Sequence, residues 1–175
     1  MASLQMLAPV HGRIQPLARH PSRWFASGVL GDGISITCHG HDVVAPVSGE
    51  LVEVNVAGTL FTIATANLIV QLGFSAEVVT GAERAIELTS RIARQVTPRQ
   101  PISAGSLLCR LRLPELTQCF GHRELAVMVY AKQHATRLSE QVLRVQPLQA
   151  RQGETLQWDW QSVTTSSSTR VKEPR

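Results

Sequence analysis

The sequence predicts an all-β fold: a duplicated hybrid motif arranged as a β sandwich or barrel, with one or two short helices. One observation is that short apolar or alternating segments recur along the chain between glycine and proline breaks. The other is that the pattern Ala-Pro-Val-x-Gly occurs twice, starting at Ala8 and at Ala45, 37 residues apart. Proline cannot donate to a strand ladder and the glycine permits a reversal. Each copy is therefore expected to be an edge strand entering a tight turn.

Eight segments have the β-branched, apolar or alternating composition that is typical of strands. In chain order they are residues 34–36, 50–56, 60–64, 68–70, 106–113, 125–130, 141–145 and 155–160. The run at 125–130 is continuously apolar, which favours a central strand with both faces covered.

Two helices are predicted between these strands. Over residues 82–95 the apolar side chains fall on one side of a helix and charged ones on the rest, and Pro98 is expected to end it. Residues 113–118 predict a turn of helix that starts at Pro114. The polar segment 161–175 has no apolar period. We therefore expect one domain over residues 1–160 and a disordered C-terminal tail over 161–175.

The composition excludes several classes of function. Of the 175 residues, 43% are hydrophobic and 17% are charged, which is typical of one folded domain. The net charge of +4 comes from scattered arginines, so nucleic-acid binding is not expected. The first residues lack the basic start and apolar run of a signal peptide, and no run of eighteen apolar residues occurs, so neither a signal peptide nor a membrane span is expected. We expect a cytoplasmic protein without membrane insertion and without a cofactor.

The cysteines and nearby histidines do not form a convincing metal motif. Cys38, Cys109 and Cys119 are odd in number and lack CxxC spacing, so reduced thiols are expected rather than disulfides. The run from Cys38 through His39 to His41 offers three ligands, but a tetrahedral site needs a fourth from elsewhere. A polar turn is the preferred interpretation, and no metal site is predicted.

Several motifs in a fixed order resemble the glucose-family enzyme IIA of the bacterial phosphoenolpyruvate-dependent sugar phosphotransferase system. The resemblance runs from about Leu7 to Glu115 and continues more weakly over residues 152–160. It rests on the two Ala-Pro-Val-x-Gly copies, on the segment Phe25-Ala-x-x-Val-Leu-Gly-Asp-Gly-Ile-x-Ile36 between them, and on the later Ala104-Gly-Ser-Leu-Leu108 and Leu113-Pro-x-Leu116.

The resemblance implies a phosphoryl carrier that works with two facing histidines, yet this chain has neither. In the family, one histidine accepts a phosphoryl group from the phosphocarrier protein HPr and passes it to a IIB domain, while the other stabilises the phosphorylated state. Alignment from the second repeat places Thr59 at the stabilising position and Gln71 at the acceptor position. A carboxamide nitrogen is not a nucleophile and does not shuttle protons near neutral pH. No catalytic residue is therefore predicted.

The resemblance also implies a surface for protein partners. The residues matched to the family's apolar docking patch and its acceptor position are Trp24, Phe25, Val29, Leu30 and Gln71. Aromatic and aliphatic side chains are common interface anchors. Ser22 and Ser75 replace acidic rim positions, and Arg23 lies beside the patch, which disfavours a basic partner and favours an acidic one.

Two hypotheses of different classes follow. In the first, the chain is a regulatory or protein-binding enzyme IIA homologue that carries no phosphoryl group; its partners are phosphotransferase system components or a regulated enzyme. In the second, phosphoryl transfer persists through a relocated histidine, with the candidates His11, His39, His41 and His122. A histidine pair beneath Trp24 and Phe25 would contradict the first hypothesis.

Two other families with related architecture or turns are disfavoured. Lysostaphin-type metallopeptidases need a His-x-His on a central strand, whereas His39-Gly-His41 precedes the second repeat in a turn. Lipoyl and biotinyl carriers need a lysine displayed on a hairpin, and Lys132 and Lys172 have no such setting.

Overall fold

The computed structural model describes residues 2–55, 58–93, 99–132 and 141–162. Strands dominate these residues, which confirms the predicted all-β class. The strands are β1 Ala2–Leu7, β2 Gly12–Pro16, β3 Asp32–Cys38, β4 Asp42–Val44, β5 Gly49–Val54, β6 Leu60–Ala64, β7 Leu68–Gly73, β8 Ile86–Leu88, β9 Gln100–Ile102, β10 Leu107–Leu111, β11 Glu124–Ala131, β12 Gln141–Gln146, β13 Gln149–Ala150 and β14 Thr155–Ser162. The helices are α1 Arg23–Ala26, α2 Ala82–Ala85, α3 Ser90–Ala93 and α4 Leu113–Phe120, and a 3₁₀ turn spans Leu17–Arg19.

The strands form one large sheet and two small ones. The large sheet has the order β13-β2-β3-β11-β7-β6-β5-β9, and the small sheets have the orders β1-β14-β12 and β4-β10-β8. The continuously apolar β11 lies between β3 and β7, as its composition predicts, and its residues from Leu125 to Val129 are buried.

The two Ala-Pro-Val-x-Gly copies lie side by side and are joined by reciprocal backbone hydrogen bonds, as in an approximate two-fold repeat. Leu7 N–H donates to Pro46 O at 2.9 Å, and Val44 N–H donates to Pro9 O at 2.8 Å. Each copy follows an edge strand of a small sheet, β1 or β4, and connects it to the next strand, so the expectation that the copies themselves are edge strands is wrong. The duplication that the sequence predicts is therefore present in the backbone hydrogen bonds.

The predicted helix over residues 82–95 is wrong. Instead of one continuous helix, the chain forms the short α2, leaves helical geometry at Ile86 (φ −123°, ψ 111°), continues as β8 and becomes helical again in the short α3. Ile86 pairs with Leu111 and Leu88 with Cys109, so β8 extends the sheet at the free edge of β10. The alternation of buried Ile86, exposed Glu87 and half-buried Leu88 fits a strand, and ladder pairing outweighs the helical pattern of charges.

The other predicted elements agree with the structure to within a few residues. The second helix begins at the expected proline turn and runs further than predicted, to Phe120. The last strand extends to Ser162, two residues beyond the predicted domain boundary, and residues 163–175 of the predicted tail lie outside the described residues. In the described part of the chain, no helix is long and apolar enough to span a membrane.

The large sheet buries apolar side chains on both faces, but unequally. The main core lies on one face and includes Phe61, Ile63, Val70 and Leu72. On the other face, a small cluster consists of Leu17, Phe25, Ala126 and Met128, with Leu30 and Leu60 packed against it. This second face carries Gln71, because side chains alternate along a strand and Val70 and Leu72 point to the main core.

Candidate functional site

The side chain of Gln71 is held within the sheet by its strand neighbours. Gln71 lies opposite Thr62 of β6 and Met128 of β11. Its Nε2 donates to Thr62 Oγ1 at 3.4 Å, and its Oε1 is buried without a hydrogen-bond partner among the described residues. A half-buried amide in this setting supplies neither a nucleophile nor a proton carrier.

Thr59 is a fully buried structural residue. Its Oγ1 accepts from Asn55 Nδ2 at 2.7 Å and donates to Ser75 O at 3.4 Å, and its N–H donates to Asn55 Oδ1 at 2.7 Å. Its carbonyl accepts from Phe74 N–H at 2.9 Å. These hydrogen bonds stabilise the turn before β6 and join it to the segment that follows β7. The hydroxyl of Thr59 therefore bonds to Asn55 and Ser75, whereas the amide of Gln71 bonds to Thr62.

The predicted patch separates into exposed and buried members. Trp24 is 54% exposed and Val29 is 57% exposed, whereas Leu30 is half-buried. Phe25 is 0% exposed. The interpretation of Phe25 as a partner contact is therefore corrected: its ring packs into the small cluster and cannot reach a partner in this structure.

The close packing of Phe25 also explains why residue 73 is a glycine. A Cβ at Gly73 would lie 2.7 Å from Phe25 Cζ and 2.9 Å from Leu60 Cδ1, so no larger residue fits without a shift. The α1 segment is thus anchored on β7, two residues from Gln71.

A groove with a volume of about 650 Å³ lies beside α1. Trp24, Val29 and the half-buried ring of Phe120 line it, and Phe74 also borders it but is 0% exposed. Neither Gln71 nor Leu30 lines this groove. Of the five predicted patch positions, the structure therefore brings only Trp24 and Val29 to the groove.

The polar rim of the groove carries both signs of charge. Ser22, Arg23 and Ser75, which the resemblance places at the rim, all line the groove. Glu77 lines it as well, and its N–H donates to Ser75 Oγ at 3.0 Å. The sequence predicts a basic rim and does not include the acidic Glu77. Because the rim carries both charges, its charge does not by itself select an acidic partner.

His20 is the residue of this region that the sequence reasoning missed. It is 4% exposed, and its ring lies 5.0 Å from that of Phe25 and 5.2 Å from that of His122. Ser22 N–H donates to its Nδ1 at 3.0 Å, and its Nε2 lies 3.0 Å from Glu124 O. Burial lowers the pKa of His20 to about 4 despite the bond to Glu124, and repulsion from His122 acts in the same direction as burial.

His122, a candidate acceptor from the sequence, is the histidine that lines the groove. Glu124 N–H donates to its Nδ1 at 3.0 Å. Burial lowers the pKa of His122, although the Glu124 carboxylate opposes this effect. The ring is therefore neutral near pH 7.

The structure thus contains the kind of histidine pair that would contradict the first hypothesis, but the hydrogen bonds limit what this pair can do. A backbone N–H only donates, so Nδ1 is the acceptor in both rings and the single proton of each neutral ring lies on Nε2. In His20 both nitrogens are occupied. In His122 the Nδ1 lone pair is engaged and Nε2 carries the proton. Neither ring presents a free nitrogen lone pair for attack on phosphorus.

The remaining candidate histidines lie elsewhere. His11, His39 and His41 are exposed, and none lines the groove. His11 O accepts from His39 N–H at 2.8 Å, while His41 Nδ1 lies 3.1 Å from Leu111 O. His39 and His41 belong to the turn between β3 and β4, and His11 belongs to the turn between β1 and β2.

The side chains of Cys38, His39 and His41 do not converge on a common point where a metal ion could bind. Cys38 is buried, its Sγ contacts Ile36 O at 3.7 Å, and burial raises the pKa of its thiol, whereas the two histidines are exposed. Among residues 2–55, 58–93, 99–132 and 141–162, no group of three or more His, Cys, Asp or Glu side chains is arranged to hold a metal ion.

Comparison with known proteins gives consistent matches. The model of the family described as phosphoenolpyruvate-dependent sugar phosphotransferase system, EIIA 1, matches residues 4–135. The PTS system glucose-specific EIIA component of Borreliella burgdorferi is 28% identical over 64 residues, which are 37% of this chain and 34% of that protein. The chain is thus aligned with about a third of the length of this curated relative.

The fold also matches a solved structure. Glucose permease IIA from Mycoplasma capricolum superposes with a TM-score of 0.68 at 22% identity, covering 90% of this chain and 96% of that one. At this level of identity the match demonstrates a common β-sandwich fold.

Proposed function

Because the chain belongs to the EIIA 1 family of the phosphoenolpyruvate-dependent sugar phosphotransferase system, we propose that it binds other proteins without carrying a phosphoryl group. The observation that carries the proposal is the setting of Gln71: an amide bonded to Thr62 stands at the position aligned with the acceptor histidine. Such a side chain forms no stable phosphoryl adduct.

The surroundings of Gln71 support the same conclusion. Thr59, aligned with the stabilising histidine, is buried and bonded to Asn55, so its hydroxyl does not face an acceptor. The nearby pair His20 and His122 is neutral, with Nδ1 of each ring accepting from backbone. The site therefore lacks both the nucleophile and the partner that phosphoryl transfer needs.

The binding surface that we assign is the groove beside α1, with Trp24 and Val29 as its exposed anchors. An exposed indole beside an aliphatic side chain and a half-buried phenyl ring is typical of a surface that a partner covers. The partner is a component of the phosphotransferase system or an enzyme that the chain regulates. The domain over residues 1–160 provides the scaffold.

A capture experiment from the protein's own cell extract tests this assignment. Trp24→Asp and Val29→Asp place charges on the groove without entering the core, and Leu148→Asp is the matched control, since Leu148 is 66% exposed and does not line the groove. We expect the two groove variants to lose a specific partner that the wild type and the control retain. Equal capture by all four proteins would reject the groove as the binding surface.

A second candidate function keeps phosphoryl transfer and uses His122. It is favoured by one observation: His122 lines the groove and packs against a second histidine. For Nε2 to attack phosphorus, the ring proton would have to move to Nδ1, which breaks the bond from Glu124 N–H. Loss of a phosphoryl adduct in His122→Gln but not in His39→Gln would establish this candidate instead.

A further inference from the structure

Residues 17–31, here called the flap, form a cover over the second face of the large sheet. The flap contains the 3₁₀ turn, α1 and a turn with positive φ at Gly28 (72°) and Gly31 (131°). Its apolar side chains Leu17, Phe25 and Leu30 pack against Leu60, Ala126 and Met128. The flap thus lies over the strand face that carries Gln71, because Met128 is the cross-strand neighbour of Gln71.

His20 is the polar link between the flap and the sheet. Its Nδ1 accepts from Ser22 N–H, the residue whose carbonyl accepts from Phe25 and Ala26 at the start of α1. Its Nε2–H donates to the carbonyl of Glu124, the first residue of β11. One imidazole therefore fixes the beginning of α1 and ties it to the central strand.

This arrangement holds only for a neutral ring. A protonated imidazole carries a hydrogen on Nδ1, which would face the Ser22 N–H, so two donors would oppose each other. The cation would also lie in a position that is 4% exposed, with its ring centroid 5.2 Å from that of His122. His122 has the same constraint, since its Nδ1 accepts from Glu124 N–H.

The charges around His20 do not compensate for this cost. Among the described residues, the Glu124 carboxylate is the acidic group whose charge acts on the ring, and it favours the cation. Both of its oxygens are already bound, by Ser35 Oγ at 2.7 Å and by Thr37 Oγ1 at 2.7 Å. His122 opposes the cation, and burial, the largest effect, lowers the pKa of both rings.

We propose that His20 is a proton-operated latch: its protonation releases the flap from β11 and uncovers the apolar cluster and the strand face beside Gln71. The flap stays closed when the ring is neutral and opens in acid, while the rest of the β sandwich remains folded. The device carries Trp24, so it changes the groove at the same time. It needs no partner protein, and its test is independent of the proposed binding function.

Fluorine NMR of protein labelled with 5-fluorotryptophan tests the latch directly. The chain has three tryptophans, of which Trp24 is half-exposed on the flap and Trp158 and Trp160 are buried in β14. Trp24→Phe assigns the flap resonance. As the pH falls, we expect this resonance to shift or exchange at a pH where the two β14 resonances are unchanged.

Two variants make the experiment specific. In His20→Asn, the side chain cannot reach both Ser22 and Glu124, so the Trp24 resonance should already resemble the acid form at pH 7 and should not titrate. His39→Asn, which alters an exposed histidine, should titrate as the wild type does. The proposal is overturned if all three resonances move together, which indicates global unfolding, or if Trp24 still titrates in His20→Asn.

The ring tautomer gives a second readout that does not depend on the fold of a variant. Long-range nitrogen spectra of the wild type should show His20 and His122 as neutral rings with the proton on Nε2 near pH 7. A proton on Nδ1 of His20 would remove the hydrogen bond from Ser22 and with it the latch.

Discussion

The neighbouring residues Trp24 and Phe25 are expected to respond to truncation in opposite ways. Phe25 is 0% exposed and contacts the small cluster, and its ring covers Gly73. Replacement by alanine removes a fully buried ring and leaves a cavity that the backbone at Gly73 does not fill. We therefore expect Phe25→Ala to lower the free energy of unfolding by about 3 kcal/mol, near the lower end for buried aromatics because the cluster is small.

Trp24 is the matched comparison, because it is larger, adjacent in sequence and 54% exposed. Truncation there removes little buried surface, so Trp24→Ala should cost less than about 1 kcal/mol while weakening capture of a partner. Urea unfolding followed by circular dichroism measures both changes. If Phe25→Ala costs as little as Trp24→Ala, the ring is not part of the core, and the assignment of Phe25 as a structural residue is wrong.

Three further predictions concern the same region. Burial lowers the pKa of His20 from 6.5 to about 4, so the unfolded chain binds more protons than the folded chain between these pH values, and the free energy of unfolding falls by roughly 3 kcal/mol in total as the pH decreases. Urea unfolding at pH 7 and pH 5 should therefore show a smaller change in the free energy of unfolding for His20→Asn than for the wild type. The same change in both proteins would contradict the burial of His20. Gly73→Ala should lower stability by about 1–3 kcal/mol, because its Cβ would lie 2.7 Å from the Phe25 ring, and a neutral result in thermal unfolding would show that the flap moves freely. The single variant Gln71→His should not become phosphorylated in a reconstituted phosphorelay, because Thr59 offers no second imidazole. Robust phosphoryl transfer by this variant would show that the site is otherwise intact. The double variant with Thr59→His is the more demanding comparison, because the second imidazole has to fit at a fully buried position.

Local patterns were sufficient to predict most of the strands. The segments at 60–64 and 68–70 have the composition of strands, and they pair in the structure as β6 and β7. The charged residues around 86–88 predict a helix, whereas the segment pairs as a strand with the free edge of β10, more than 20 residues further along the chain. Such pairing is a tertiary effect that local periodicity does not encode.

In the candidate site, local motifs likewise predict the positions of residues, whereas their burial depends on residues that are distant in sequence. The motif alignment predicts site positions at Gln71, Thr59 and Trp24, of which the structure brings Trp24 to the groove. It did not separate Phe25 from Trp24, because the burial of Phe25 depends on β7 and β11 packing beneath it. His20 was missed for a similar reason, since its partner Glu124 is 104 positions away in sequence. Its place four residues before Trp24 was the available signal.

The most direct test of the central claim is the intact mass of the protein after incubation with phosphoenolpyruvate, enzyme I and HPr. A phosphorylatable enzyme IIA of the same family serves as the positive control under identical conditions. We predict an unchanged mass, because we propose that Gln71 occupies the acceptor position, and because His20 and His122 present no free nitrogen lone pair. A phosphoryl adduct on any histidine, and on His122 above all, would contradict this account.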